Sequence, residues 1–367
     1  RGVAQGGRSA DPDARWGYRT RTFDNKTKKV FGYQMIALTR VGKVGEQSQP
    51  LLTERIAVVP GNARGISETL DILDSLRRQQ RPAVEIICDR GFSYAAHEDW
   101  ADQLRARKIE QVQDIHPADH GARVHPDHGY LMIDGWPHCP SIPEHLRRID
   151  RPANLTVSEL GKNPTRKEKA EHDARVAELE KFNRLIAERR LYRFEKVGKT
   201  SSGADRFRCP ARAGKIRCSG YLQSQYLPDG TPEGIPQNPP AKACTQASIT
   251  IKPGVEPKLR QREYWGSPEW IRSYSRRTRV EGSFGLLKSP KTGGVKRGWT
   301  HQVGIVKTTC ALTIAVAATN LRQLLIWAAN TGDTRDPLTR IDVTDHGFVE
   351  LDASGNIAGD TSPPAAA

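Results

Sequence analysis

Residues 83–92 read Ala-Val-Glu-Ile-Ile-Cys-Asp-Arg-Gly-Phe. The mostly apolar run through Cys88 fits a short buried strand, and the change to Asp89-Arg90-Gly91 marks its end. Immediately upstream, SETLDILDSLRRQ at 67–79 opens with a Ser cap and puts Leu70, Leu73 and Leu76 on one face, so an amphipathic helix leads into the strand. Downstream, 94–107 reads as a second helix and 109–113 as a further strand. Further upstream, VFGYQMIALT at 30–39 and LLTERIAVV at 51–59 fit a hairpin with a long, turn-rich tip. The resulting order, β-β-α-β-α-β, predicts an α/β fold. Asp89 then stands at the carboxyl end of a buried strand, where open α/β sheets place ligand-binding residues. A plain turn role for an Asp before Gly is the competing reading.

Lys and Arg number 57 against 42 Asp and Glu, a net charge of +15 that points to a polyanionic partner, nucleic acid first. The longest uncharged apolar run, 308–321, is shorter than the roughly 20 residues that cross a bilayer, so no membrane partner is expected. Six Cys in 367 residues are too sparse for a disulfide scaffold and fit a reducing, cytoplasmic setting. Residues 1–29, rich in Gly, Arg and Lys, read as a basic arm or loop. Residues 115–262 are rich in His, Pro and Cys, apart from a charged helix near 165–191 with a stripe of Val176, Leu179, Phe182 and Ile186. Regular order resumes where Ser267-Pro268-Glu269 caps a helix reaching about Leu287. A very apolar helix follows over 303–329. The tail, 331–367, is acidic and reads as disordered or as a loosely docked strand.

Tyr274, Arg277, Glu281 and Lys288 are spaced by 3, 4 and 7 and would share one face of a continuous helix. Such a face is poor core. It suits a site where a carboxylate holds a metal while a phenol and cations grip phosphates, the alternative being a solvated face with ordinary ion pairs. Arg276, Arg279, Lys291, Lys296 and Arg297 could extend a basic track. Cys139, Cys209, Cys218 and Cys244 could close a tetrahedral zinc site, although their spacings lack paired C-x-x-C knuckles; unlinked thiols are the alternative. His116, His120, His125, His128, His138 and His145 are dense but form no H-E-x-x-H pattern. No phosphate-binding G-x-x-x-x-G-K-[ST] loop, G-x-S-x-G elbow or dinucleotide fingerprint is present, which removes support for ATP-driven and serine-hydrolase chemistry.

The pattern Y-x-x-R-x-x-x-E-x-x-x-x-x-x-K over 274–288 resembles the signature of DDE transposases of bacterial insertion sequences, matching at every position. Asp11-Pro12-Asp13-Ala14-Arg15, Phe31-Gly32-Tyr33-Gln34, Cys88-Asp89-Arg90-Gly91-Phe92 and the stretches 279–288, 296–298 and 317–321 are similar to the same family. The resemblance covers most of 11–114 and 263–330. It implies a ribonuclease H-like mixed sheet flanked by helices, interrupted by the Cys/Pro-rich insertion. It also implies metal-dependent DNA strand cleavage and strand transfer, with carboxylates binding two magnesium (or manganese) ions. By the same resemblance Asp89 and Glu281 are catalytic metal ligands, and Tyr274, Arg277, Lys288 and Arg297 contact DNA. The implied partners are transposon terminal inverted repeats and target DNA, engaged by a homodimer, in the cytoplasm at the bacterial nucleoid.

The implied domain plan is a basic arm at 1–29, a first catalytic part at 30–114, an insertion at 115–262, a second catalytic part with the Glu helix at 263–330, and a tail at 331–367. The family's first acid has no convincing match: Asp11 and Asp13 lie in a segment that follows that acid in similar sequences, and Asp24 sits in a polar run. The expectation is that the first strand and its Asp lie upstream of Arg1 and that this chain alone does not transpose. A non-catalytic DNA-binding remnant or domesticated derivative is the alternative, and a zinc protein unrelated to nucleases is a third reading.

Overall fold

The computed structural model describes residues 10–20, 27–46, 49–295 and 302–331. The first elements are β1 (Arg15–Thr20), β2 (Thr27–Thr39), β3 (Thr53–Pro60), α1 (Ile66–Arg78), β4 (Glu85–Cys88), α2 (Arg90–Ser93), α3 (Ala101–Ala106) and β5 (Glu110–Gln113). The middle holds β6 (Ala122–Val124), β7 (Leu131–Ile133), β8 (Trp136–His138), α4 (Glu144–Arg147), α5 (Arg166–Leu191), β9 (Glu195–Lys199), β10 (Asp205–Arg208), α6 (Lys242–Thr245) and β11 (Ile249–Ile251). Three helices close the described chain: α7 (Pro268–Ser275), α8 (Thr278–Lys288) and α9 (Ile305–Thr331). The protein is thus mixed α/β with several small sheets. It divides into two compact units, one made of residues up to 83 and from 278 onward, the other of 84–277.

In the first unit β1, β2 and β3 form an antiparallel sheet in sequence order. The hairpin expected from 30–59 is β2–β3, in register from Tyr33↔Pro60 to Leu38↔Arg55 and shifted by a bulge before Thr39↔Thr53. The opening segment, however, is not all loop: 15–20 is a strand. Trp16 pairs with Phe31 across the ladder with ring centroids 5.3 Å apart. Gly17 lets the backbone close on Gly61, whose carbonyl oxygen would lie 2.1 Å from an added Cβ. Helix α1 also starts differently from the Ser67 cap expected. Gly65 in a left-handed conformation (φ 68°) precedes Ile66, and Ser67 lies inside the helix, bonded to Glu68. Thr69, Leu73 and Leu76 form its buried side.

Helix α9 packs on β3, where Asn320 accepts from the Thr53 N–H (3.0 Å) and donates to the Thr53 carbonyl (2.8 Å). At 27 residues and a window hydropathy of 1.4, α9 would by length and composition suffice to cross a membrane. The sequence count fell short because it stopped at Lys307 and Arg322, through which the helix continues. The acidic tail beyond 331 lies outside the described residues.

In the second unit β4 and β5 are parallel, joined by the α2–α3 crossover. The helix expected over 94–107 covers only Ala101–Ala106. Residues 94–100 form turns, with Phe92 and Trp100 in ring contact at 4.7 Å. Beyond Gln113 come the meander β6-β7-β8 and the sheet β11-β10-β9. Helix α5 matches its expected span and opens with a Thr165/Glu168 capping box. Phe182, Ile186 and Arg189 are its buried face, while Val176 and Leu179 are only half-buried. Arg189, fully buried, donates to Asp134 at 2.7 Å and lies over the rings of Tyr264 and Trp265.

Candidate active site and thiol cluster

Asp89 leaves the carboxyl end of β4, and its carboxylate is 71% exposed although Cys88 before it is buried. The Arg277 guanidinium stands 4.0 Å from Asp89 Oδ1 and 5.5 Å over the Tyr274 ring. Tyr274 is buried and lies parallel to Trp270 at 4.8 Å. Burial pushes the Tyr274 phenol above its ordinary pKa, Arg277 opposing it. The second unit therefore brings Asp89, Tyr274 and Arg277 together.

The continuous helical face expected from Tyr274 to Lys288 does not form. The helix stops at Ser275 and resumes at Thr278. The Arg277 N–H bonds the Tyr274 carbonyl at 2.9 Å, three residues back, where a continuing α-helix would bond four back. Arg276 turns its side chain onto the Ser273 carbonyl (3.0 Å) and the Glu85 carboxylate instead of out toward a ligand. Glu281 and Lys288 belong to the first unit. They lie exposed on α8, opposite buried Ser283 and Leu287, with the Lys288 ammonium 5.3 Å over the Phe284 ring. Arg279 donates to the Gln49 and Pro50 carbonyls. Arg297 and Lys296, like Asp24, lie outside the described residues.

Asp11 and Asp13 are bound up in structure. Asp11 accepts from the Tyr33 hydroxyl (2.6 Å), from the Asp13 and Ala14 N–H groups and from the Gly304 N–H. Asp13 accepts from the Ile305 N–H at 2.9 Å. The pair thereby caps the amino end of α9. Burial raises the Asp11 pKa, but the bonds from Tyr33 and the backbone outweigh it and hold the carboxyl below its usual range.

Sequence reasoning missed Asp114. It follows Gln113, the register partner of Cys88, so it leaves β5 at the same end at which Asp89 leaves β4. It is fully buried, 3.1 Å from Arg151 Nε and accepting from the Trp265 indole at 3.2 Å. The signal available was an Asp ending each of two parallel strands. Also missed was a cleft of about 570 Å³ beside β5 and β10, with Arg105, Lys108, Lys196, Lys199, Arg260 and Arg262 among its lining residues.

The histidines have structural partners. His120 contacts Asp134 at 3.0 Å, and His125 and His128 stack with Tyr130. His138 is buried between the Trp136 carbonyl and the Tyr264 hydroxyl, and burial drives its pKa down to about 3. Among the described residues no three His, Cys, Asp or Glu side chains stand ready-made at metal-binding spacing. The structure nonetheless gathers the four cysteines. Cys139, Cys209, Cys218 and Cys244 are all buried and unlinked, with Cys139 in hydrogen-bonding reach of the other three sulfurs.

Residues 238–325 match the family model of a transposase DDE domain. The match supports a DDE-type transposase, and the matched segment includes Tyr274, Arg277, Glu281 and Lys288 but not Asp89. No curated protein and no solved structure matches the chain.

Proposed function

We propose that the chain belongs to the DNA strand-cleaving and strand-transferring transposase of an insertion sequence, with Asp89 and Glu281 as ligands for catalytic magnesium or manganese, and that by itself it does not carry out transposition. The observation that carries the reading is the exposed Asp89 carboxylate at the end of a buried strand, with Arg277 4.0 Å away, in a chain whose DDE match contains Glu281. The order of a three-stranded antiparallel sheet, a helix and a parallel β-α-β unit supports a ribonuclease H-like core.

The donor chemistry fits: both residues offer carboxylate oxygens, as hard divalent cations require, and both are exposed. The bound ions would supply Lewis acidity, activating a water or 3′-hydroxyl and stabilising the leaving oxygen. Arg277 would hold a phosphate oxygen near Asp89 while the stacked Tyr274 ring fixes its guanidinium. Lys288, exposed on α8, and Arg297 would neutralise backbone phosphates, and the basic cleft would add affinity without sequence preference. Two copies of the chain would engage two transposon ends.

A second reading, a DNA-binding remnant or domesticated derivative without catalysis, is favoured by the commitment of Asp11 and Asp13 to capping α9. One experiment separates the two. The purified chain is titrated with a short duplex across a salt series, then incubated with supercoiled plasmid and manganese. Both readings expect binding that weakens steeply with salt. The first adds metal-dependent nicking that drops at least ~100-fold in Asp89→Asn and Glu281→Gln while duplex affinity is retained. Binding without nicking selects the second reading, and absence of salt-sensitive DNA binding refutes both.

A further inference from the structure

We propose that Cys139, Cys209, Cys218 and Cys244 form a tetrathiolate site for a structural zinc ion. The four come from separate places in the chain. Cys139 follows β8, Cys209 follows β10, Cys218 lies in the loop beyond and Cys244 lies in α6. Nothing in their spacing requires them to meet, yet the fold brings all four sulfurs into one buried cluster. A Cβ added to Gly220 would lie 3.6 Å from both Cys218 Sγ and Cys244 Cβ, which places both cysteines beside one glycine.

A cluster of four thiols would be held only by weak S–H hydrogen bonds. Cys139 faces three sulfurs but carries a single S–H proton, so it can satisfy one of them at a time. Other donors already point at sulfur. The Ala211 and Arg212 N–H groups are directed at Cys209, the Gly220 N–H and the Ser141 hydroxyl at Cys218, the latter at 3.5 Å, and the Ala241 N–H at Cys244. N–H groups directed at ligand sulfur are the outer shell of a thiolate metal site.

A tetrahedral ion with Zn–S bonds of about 2.3 Å has sulfur–sulfur edges of about 3.8 Å. Cys139 lies in hydrogen-bonding reach of the other three sulfurs, yet the described residues hold no ready-made ligand set, so binding requires the sulfurs to draw together. Oxygen-ligated magnesium does not suit four sulfurs, whereas zinc and its spectroscopic substitute cobalt do. The protons displaced pass to solvent, and the ion ties together loops spread from residue 139 to residue 244.

The inference does not depend on the transposase reading, and its test uses the full chain. Metal content is measured after extensive dialysis, and zinc is exchanged for cobalt to read the visible spectrum. The expected result is about one zinc per chain and, with cobalt, the strong d–d and thiolate charge-transfer bands of tetrahedral sulfur coordination. Cys209→Ser and Cys244→Ser should each cut bound zinc at least ~10-fold, whereas Asp89→Ala and Glu281→Ala should retain it. Because cysteine variants can misfold, the unaltered chain decides: a folded wild-type protein that takes up neither metal, or gives an octahedral cobalt spectrum, overturns the proposal. Full zinc binding in a folded Cys209→Ser variant overturns it equally.

Discussion

Replacing Asp134 with asparagine should destabilise the second unit more than any surface change, and the size of the effect follows from its surroundings. The carboxylate accepts from Arg189 at 2.7 Å, meets His120 at 3.0 Å and accepts from the Gly121 N–H at 3.2 Å. Arg189 is fully buried, so Asp134→Asn would leave a buried cation without its counter-charge, a loss of about 3–5 kcal/mol. Burial pushes the Asp134 pKa up, but His120 and Arg189 more than offset that and hold it at about 2, against 3.8 for a free side chain. Because the folded value is the lower one, the ionised pair stabilises the protein fully above the unfolded value, and that contribution is lost as pH falls through the folded value. The shift corresponds to about 2.5 kcal/mol, of which roughly half is gone by pH 3. Urea unfolding followed by tryptophan fluorescence reads it directly, since Trp265 lies against Arg189. The wild type should lose stability between pH 5 and 3 more steeply than Asp134→Asn, so the gap between them narrows on acidification. Arg189→Met in the Asp134→Asn background should recover part of the loss by removing the stranded charge. A variant within about 1 kcal/mol of wild type at pH 6, with an unchanged pH slope, would show that Arg189 does not depend on Asp134 and sink the argument.

Two further outcomes concern the first unit. Tyr33→Phe removes the 2.6 Å bond to Asp11 and should lower stability by ~1.5 kcal/mol at neutral pH; a thermal shift of zero would detach Tyr33 from the α9 cap. Gly65→Ala should cost at least ~2 kcal/mol, because φ is +68° and the new methyl would lie 1.7 Å from Ile36 Cδ1. Adding Ile36→Ala removes both colliding atoms, Cδ1 and the Cγ1 at 2.9 Å, so the double variant should recover the steric part and keep the backbone part together with the lost Ile36 packing; an undiminished steric penalty would place the strain elsewhere.

What could be read from the sequence was local and strongly patterned. The hairpin, α1, the strand before Asp89, α5 and the Ser267 cap all rest on apolar periodicity or capping chemistry confined to a few residues. Strand β1 was hidden because Arg15-Trp16-Gly17-Tyr18 has no β-branched residue, and its fit depends on Gly61, far along the chain. The break at Arg276–Arg277 was equally hidden, since arginine is a good helix former and the interruption comes with contacts to Ser273 and Glu85. Asp11 and Asp13 looked like spare carboxylates because the N–H groups they cap lie some 290 residues later. The same holds for the cysteines: the 70-residue gap between Cys139 and Cys209 concealed a proximity that only tertiary packing creates.

The Tyr-x-x-Arg pair shows what a motif spacing encodes once its residues are placed. A phenol counted among phosphate contacts would be expected at the surface, but Tyr274 is buried against Trp270, and Trp270 in turn packs on Trp265. Arg277, three residues on, falls over the face of that ring as the helix ends, while its guanidinium reaches toward Asp89. A spacing of four in an unbroken helix would also keep the two side chains neighbours. Here, however, the chain closes its last turn on a bond three residues back, and the ring and the guanidinium meet at that tighter spacing. On this geometry the tyrosine is the platform on which the arginine rests. The ladder from Asp134 through Arg189, Trp265, Trp270 and Tyr274 then gives Arg277 a rigid base, which an arginine on an exposed, fraying helix end would lack.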